Sequence, residues 1–171
     1  FPIVVNRRSE NLIEIIPMAA SAGYLNGYDD PTYIESLQQF SLPMFKHGKH
    51  RAFPIKGDSM LPIKSGSIVI GRYIEELEEI KNGKTYIVVT DRDGIVYKRV
   101  YNTLKEDGTL LMVSDNKMYP PYQIAPQEVL EIWEFSALID LEERNEKEIT
   151  LEQLMTKLQS MESQISDLRG N

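Results

Sequence analysis

The chain has no cysteine, only two histidines and a single tryptophan in 171 residues. Without thiols it forms neither disulfides nor thiolate metal sites, and no metal or cofactor site is expected; the composition agrees with a cytoplasmic location. A histidine-activated nucleophile could draw only on His47 and His50. Basic residues are also scarce: 19 Lys and Arg stand against 26 Asp and Glu, for a net charge of −7. Nucleic-acid modules carry basic surfaces, so DNA contact is expected to come from outside this chain. No apolar run approaches the roughly 18 residues of a membrane-spanning helix, and no signal-peptide pattern opens the chain, so no membrane partner is expected. The first residue is Phe1 and not an initiator Met, which leads us to expect further sequence upstream.

With 42% hydrophobic residues the chain can bury a real core. One globular domain of about 100 to 150 residues plus an appendage is the natural expectation. Three parts are distinguished. Residues 1–50 hold the apolar run "LIEIIPM", the small-residue patch "AASAG" and the turn-rich "YLNGYDDP", and are expected to be extended chain and loop. In residues 51–136 β-rich runs recur: "SIVIGRY", "KTYIVVT", "GIVYKRVY", "TLLMVS" and "EVLEIWEF". Between them lie Asn82-Gly83, Asp93-Gly94 and Asp107-Gly108, dipeptides that favour the positive φ angles of tight hairpin turns. This part is expected to be a small, mainly β domain of short antiparallel strands.

Residues 137–171 change character. Leu151, Leu154, Leu158, Met161, Ile165 and Leu168 are spaced alternately three and four apart, an apolar seam along a C-terminal helix. Thr150 and Gln153 fit a capping box at its start. Such a helix either packs on its own domain or self-associates as a coiled coil.

The stretch "FPIKGDSMLPIKSGSIVIGR" places Ser59 in a Gly-Asp-Ser-Met turn. Taken alone, it is either a turn residue bonded to its own backbone or a nucleophile. A triad with His47 or His50 would require the polar stretch "FKHGKHR" to fold back onto it. Lys98 is the other candidate base. The strand period of two puts Val96, Lys98 and Val100 on one face of "GIVYKRVY", so Lys98 either snorkels from an edge strand or is buried among valines. An ordinary lysine, with pKa near 10.4, is neutral in only about one molecule in 10³ to 10⁴ at pH 7. Burial lowers that pKa and makes the amine a usable base.

Residues 51–135 resemble the C-terminal domain of LexA-type repressors and their relatives, the phage repressors and UmuD-like proteins, a family of self-cleaving peptidases with a serine–lysine dyad. The matching pieces are "KGDSMLPIKSGSIVIGRY", "IKNGKTYIVVT", "GIVYKRV" and "LLMVSDNKMYPPYQI". The resemblance implies a LexA/signal-peptidase-like β fold, Ser59 as nucleophile, Lys98 as general base, and the backbone amides of Asp58 and Ser59 as oxyanion hole. It implies self-cleavage at an Ala-Gly bond upstream of the serine, and Ala22-Gly23 in "PMAASAGYLNGY" is the dipeptide that fits. It also implies a homodimer, an upstream helix-turn-helix domain that binds DNA, and a RecA-type activator. Other readings are a catalytically silent dimerisation and regulatory domain, or a peptidase acting in trans like the membrane-anchored signal peptidases.

Overall fold

A computed structural model describes residues 11–18, 21–143 and 150–170. It divides the chain into two units, one ending at Leu141 and one beginning at Glu142.

The first unit contains β1 (Ile13–Ile15), α1 (Ser21–Gly27), α2 (Pro31–Ser36), β2 (Gln39–Phe40), β3 (His50–Pro54), β4 (Ile68–Tyr73), β5 (Lys84–Thr90), β6 (Gly94–Thr103), β7 (Thr109–Val113), β8 (Tyr122–Ile124) and β9 (Val129–Ile139). The strands form a single mixed sheet in the order β2-β1-β3-β4-β9-β5-β6-β7-β8. The mainly β expectation holds, and all five β-rich runs are strands. Two details differ. β1 pairs with β3 in parallel, through Glu14 with Arg51 and Ile15 with Ala52. β6 and β9 are also long, at 10 and 11 residues, because each pairs with its two neighbours largely in succession along its length. The expected loop-like lead-in is corrected as well, since residues 11–40 supply two strands and two helices to the domain.

β9 holds the sheet together by lying between β4 and β5. The chain returns to this central slot last, and hairpin signals cannot announce such a non-local pairing. At the β4–β9 bulge beside Gly71, an added Cβ would fall 2.6 Å from the Trp133 Cβ, so only glycine allows the close approach. Asp93-Gly94 and Asp107-Gly108 turn the β5–β6 and β6–β7 hairpins as expected. Asn82-Gly83 instead leads from a 3₁₀ turn into β5, whose strand neighbours are β6 and β9 and not β4.

Central β5 is apolar on both faces. Ile87 and Val89 join a core with Tyr24, Phe53 and Trp133, while Tyr86 and Val88 join one with Val100, Leu110 and Ile132. The second unit contains α3 (Leu151–Arg169). Its capping box forms as expected: Gln153 N–H donates to Thr150 Oγ1 (3.2 Å) and Thr150 N–H to Gln153 Oε1 (3.1 Å).

Candidate active site

Ser59 lies in the turn between β3 and β4, one residue before buried Met60 and shortly before the cis Leu61–Pro62 peptide. Gly57 opens the turn at φ +87°, a left-handed conformation that a side chain would strain. A second loop, residues 114–119 between β7 and β8, holds the turn in place. Asn116 donates from its backbone to the Ser59 carbonyl (2.9 Å) and from Nδ2 to the Asp58 carbonyl (3.0 Å), and the Tyr119 hydroxyl donates to Asp58 Oδ1. That loop is anchored in turn, since Arg99 grips Asp115 with two bonds of 2.8 Å. This guanidinium holds the Asp115 carboxyl below its usual range.

Lys98 sits on β6, an interior strand between β5 and β7, so it does not snorkel from an edge. Only 8% of it is exposed. Its Nζ lies 2.8 Å from Ser59 Oγ and 2.9 Å from Ser114 Oγ. Burial pushes its pKa below the ordinary lysine value, opposed by the more distant Asp93 carboxylate. Among the described residues no carboxylate is bonded to the amine, and two neutral hydroxyls do little to offset the lost hydration of an ammonium. A neutral amine here can take the Ser59 proton directly. Ser114, itself buried, can accept an N–H from that amine and so turn its lone pair toward Ser59. Sequence reading did not single out Ser114; the "SDN" run lay within a matching motif, but its roles appear only when β7 ends beside Lys98.

Desolvation also predicts a stability effect. The native pKa of Lys98 lies below the unfolded one, so burying the ammonium opposes folding fully at pH below the native value, and the penalty fades as pH rises to the unfolded value. Lys98→Met should therefore raise the melting temperature at pH 7, and the gain should shrink toward pH 10. Calorimetry across that range checks this, and a gain independent of pH would contradict the desolvated-amine account.

The histidines are elsewhere. His50 is buried on β3, stacked on Phe45 at 4.6 Å with Nδ1 3.3 Å from the Gly48 carbonyl. His47 lines a different cavity with Asn11 and Phe45. Neither lines the cavity at Ser59.

That cavity measures about 80 Å³ and is walled by Ile63, Ile87, Ile95 and Val96 beside Ser59 and Lys98. A second cavity, of about 210 Å³, shares Pro54, Lys56 and Ile95 with it and is bordered by Ile16, Pro17 and Met18. Ala22 and Gly23, expected in a loop, instead lie exposed in the first turn of α1. The next residue is fully buried. The Tyr24 hydroxyl accepts from Arg51 Nη1 (2.7 Å) and donates to Glu131 Oε2, which also accepts from Trp133 Nε1 (2.9 Å). Glu14 completes the network, receiving Lys49 Nζ at 2.6 Å and Arg51 Nε at 3.5 Å. Burial raises the Glu131 pKa against the pull of Tyr24 and Arg51. It likewise raises that of Tyr24, which stays a neutral donor.

Residues 14–134 match the family model of peptidase S24-like domains. The chain belongs to the peptidase S24-like family. A search of curated proteins found no match. The S24-like assignment makes this, at the level of the family, a domain of the LexA/UmuD-type serine peptidases, whose members serve self-cleavage or regulation. The matched span begins in β1 and ends in β9, so it takes in both the strands that were not expected and the Ser59–Lys98 contact. Among the described residues, no helix is long and apolar enough to cross a membrane.

Proposed function

We propose that this S24-like domain cleaves its own Ala22-Gly23 bond, with Ser59 as nucleophile and Lys98 as general base, and thereby acts as the switch of a LexA- or phage-repressor-like transcriptional regulator. The observation that carries the reading is the 2.8 Å contact between Ser59 Oγ and a buried lysine amine whose pKa is depressed. Neutral Lys98 takes the hydroxyl proton as Oγ attacks the Ala22 carbonyl carbon. The tetrahedral oxyanion is stabilised by the Asp58 and Ser59 backbone amides. The proton passes from Lys98 to the Gly23 nitrogen as the C–N bond breaks, and water then releases the acyl group from Ser59.

Size and reach favour this bond. The cavity beside Ser59 is small, and its isoleucine and valine wall suits the methyl of Ala22; Met18, which borders the adjoining cavity, is four residues from Ala22, at most about 14 Å of extended chain. A tethered substrate makes the attack unimolecular, so a modest base suffices. The first turn of α1 must unwind first, because a helical peptide bond is not extended across a nucleophile. Cleavage would part an upstream DNA-binding domain from its dimerising half, and half-sites bound singly are weak. A homodimer and stimulation by a RecA-type filament belong to this reading.

Mass spectrometry of the incubated chain tests it by looking for Phe1–Ala22 and Gly23–Asn171. The clamp gives a separate expectation: Asn116→Ala removes the Nδ2 bond to the Asp58 carbonyl but keeps the backbone bond to the Ser59 carbonyl, so the Ser59 turn is loosened, and a displacement of about 1 Å slows such a reaction by as much as about 10²-fold. The fold should remain intact, as read by circular dichroism; an unchanged rate would remove the clamp from the mechanism.

A further inference from the structure

α3 carries a face that nothing within the helix covers. Its six seam residues are 44–79% exposed. Leu151, Leu158 and Ile165 fall at heptad position a, and Leu154, Met161 and Leu168 at d. The flanking e and g positions are polar apart from Met155, so the stripe is the narrow seam of a coiled coil and not the wider face of a helix laid on a globular core. A free helix of this length is only marginally stable in water, so the seam must be covered for α3 to persist.

Two charges indicate what covers it. Lys157 occupies g and Glu162 the following e, and the positions three and four residues from each hold no charge, so neither is paired along its own helix. In a parallel, in-register pair, g of one helix faces e five residues further along the other. Lys157 then meets Glu162 of the partner subunit, and the pair occurs twice by symmetry. In a fully overlapping antiparallel pair, g meets g and e meets e, which sets Lys157 against Gln164 and Glu162 against Met155. Only the parallel arrangement satisfies both charges.

We propose that α3 pairs with α3 of a second copy of this chain as a parallel, in-register, two-stranded coiled coil. This rests on the homodimer included in the reading above and gives that dimer a surface, a direction and a register; it does not depend on self-cleavage.

The absence of natural cysteine permits a direct test in the full chain. Under mild oxidation Leu154→Cys, at a d position, should form a disulfide-linked dimer, whereas Ser163→Cys, on the outer face, should not. Adding Glu162→Lys to Leu154→Cys turns two attractive pairs into two repulsive ones and should slow cross-linking about tenfold. Adding Lys157→Glu as well reverses both charges and should restore it. Equal cross-linking at Leu154→Cys and Ser163→Cys, or a rate indifferent to Glu162→Lys, would overturn the proposal. If sedimentation still shows a dimer while Leu154→Cys fails to cross-link, the homodimer stands and its assignment to α3 falls.

Discussion

Incubation of the chain should yield two fragments, Phe1–Ala22 and Gly23–Asn171, slowly at pH 7 and much faster at pH 10. Only neutral Lys98 accepts the proton from Ser59, so each pH unit below its pKa lowers the competent fraction about tenfold. Burial depresses that pKa, so the rate should level off below the pH at which an ordinary lysine titrates. Ser59→Ala removes the nucleophile and Lys98→Ala the base; each should abolish cleavage and leave the fold intact. Gly23→Glu should block it differently, by setting a bulky charge beside the scissile bond. Cleavage that persists in Ser59→Ala would defeat the mechanism. Unchanged mass at both pH values, with and without a RecA-type filament, would leave the silent regulatory domain as the better reading.

Glu131→Ala should be the most destabilising single change among these. Its carboxylate takes bonds from Tyr24 and Trp133, lies 3.6 Å from Arg51, and is 2% exposed. Removing one member of a buried charge network costs about 3–5 kcal/mol, against a total stability of about 5–15 kcal/mol for a typical domain. Arg51 keeps Glu14, which places the expected loss at the lower end. Tyr24→Phe removes a hydroxyl that both gives and receives a bond and should cost about 1–3 kcal/mol. Denaturant unfolding measures both. Because that hydroxyl fastens α1 directly after Ala22-Gly23, Tyr24→Phe should also speed self-cleavage. A loss of about 1.4 kcal/mol confined to the docked helix corresponds to about a tenfold gain in the undocked population. A slower or unchanged rate would mean that undocking of α1 does not limit the reaction.

The pieces legible in the chain were those whose signals are local. Runs rich in β-branched and aromatic residues, bounded by turn signals, mark β4 to β7 and β9, and Asp-Gly pairs mark the two hairpin turns because they tolerate positive φ. The alternate three-and-four spacing from Leu151 to Leu168 marks α3 by itself. Ser59 and Lys98 were also picked out, as a serine in an awkward turn and a lysine on an apolar strand face, with the resemblance linking the two.

Other features depended on residues far apart in sequence. β1, β2 and β8 are two or three residues long, too short for periodicity to register, and exist because a neighbouring strand edge supplies their hydrogen bonds. "SAGYLNG" reads as turn-forming, yet it is helical because Tyr24 finds Phe53, Arg51 and Glu131. Ser114 meets Lys98 across a β6–β7 register, and Asn116 meets the Ser59 turn across 57 positions of chain. The sequence determined which groups were available and marked the longer strands and α3. Tertiary structure alone decided that the lysine would lose its water beside a hydroxyl, because desolvation is set by what packs around a group, and those neighbours come from several strands at once.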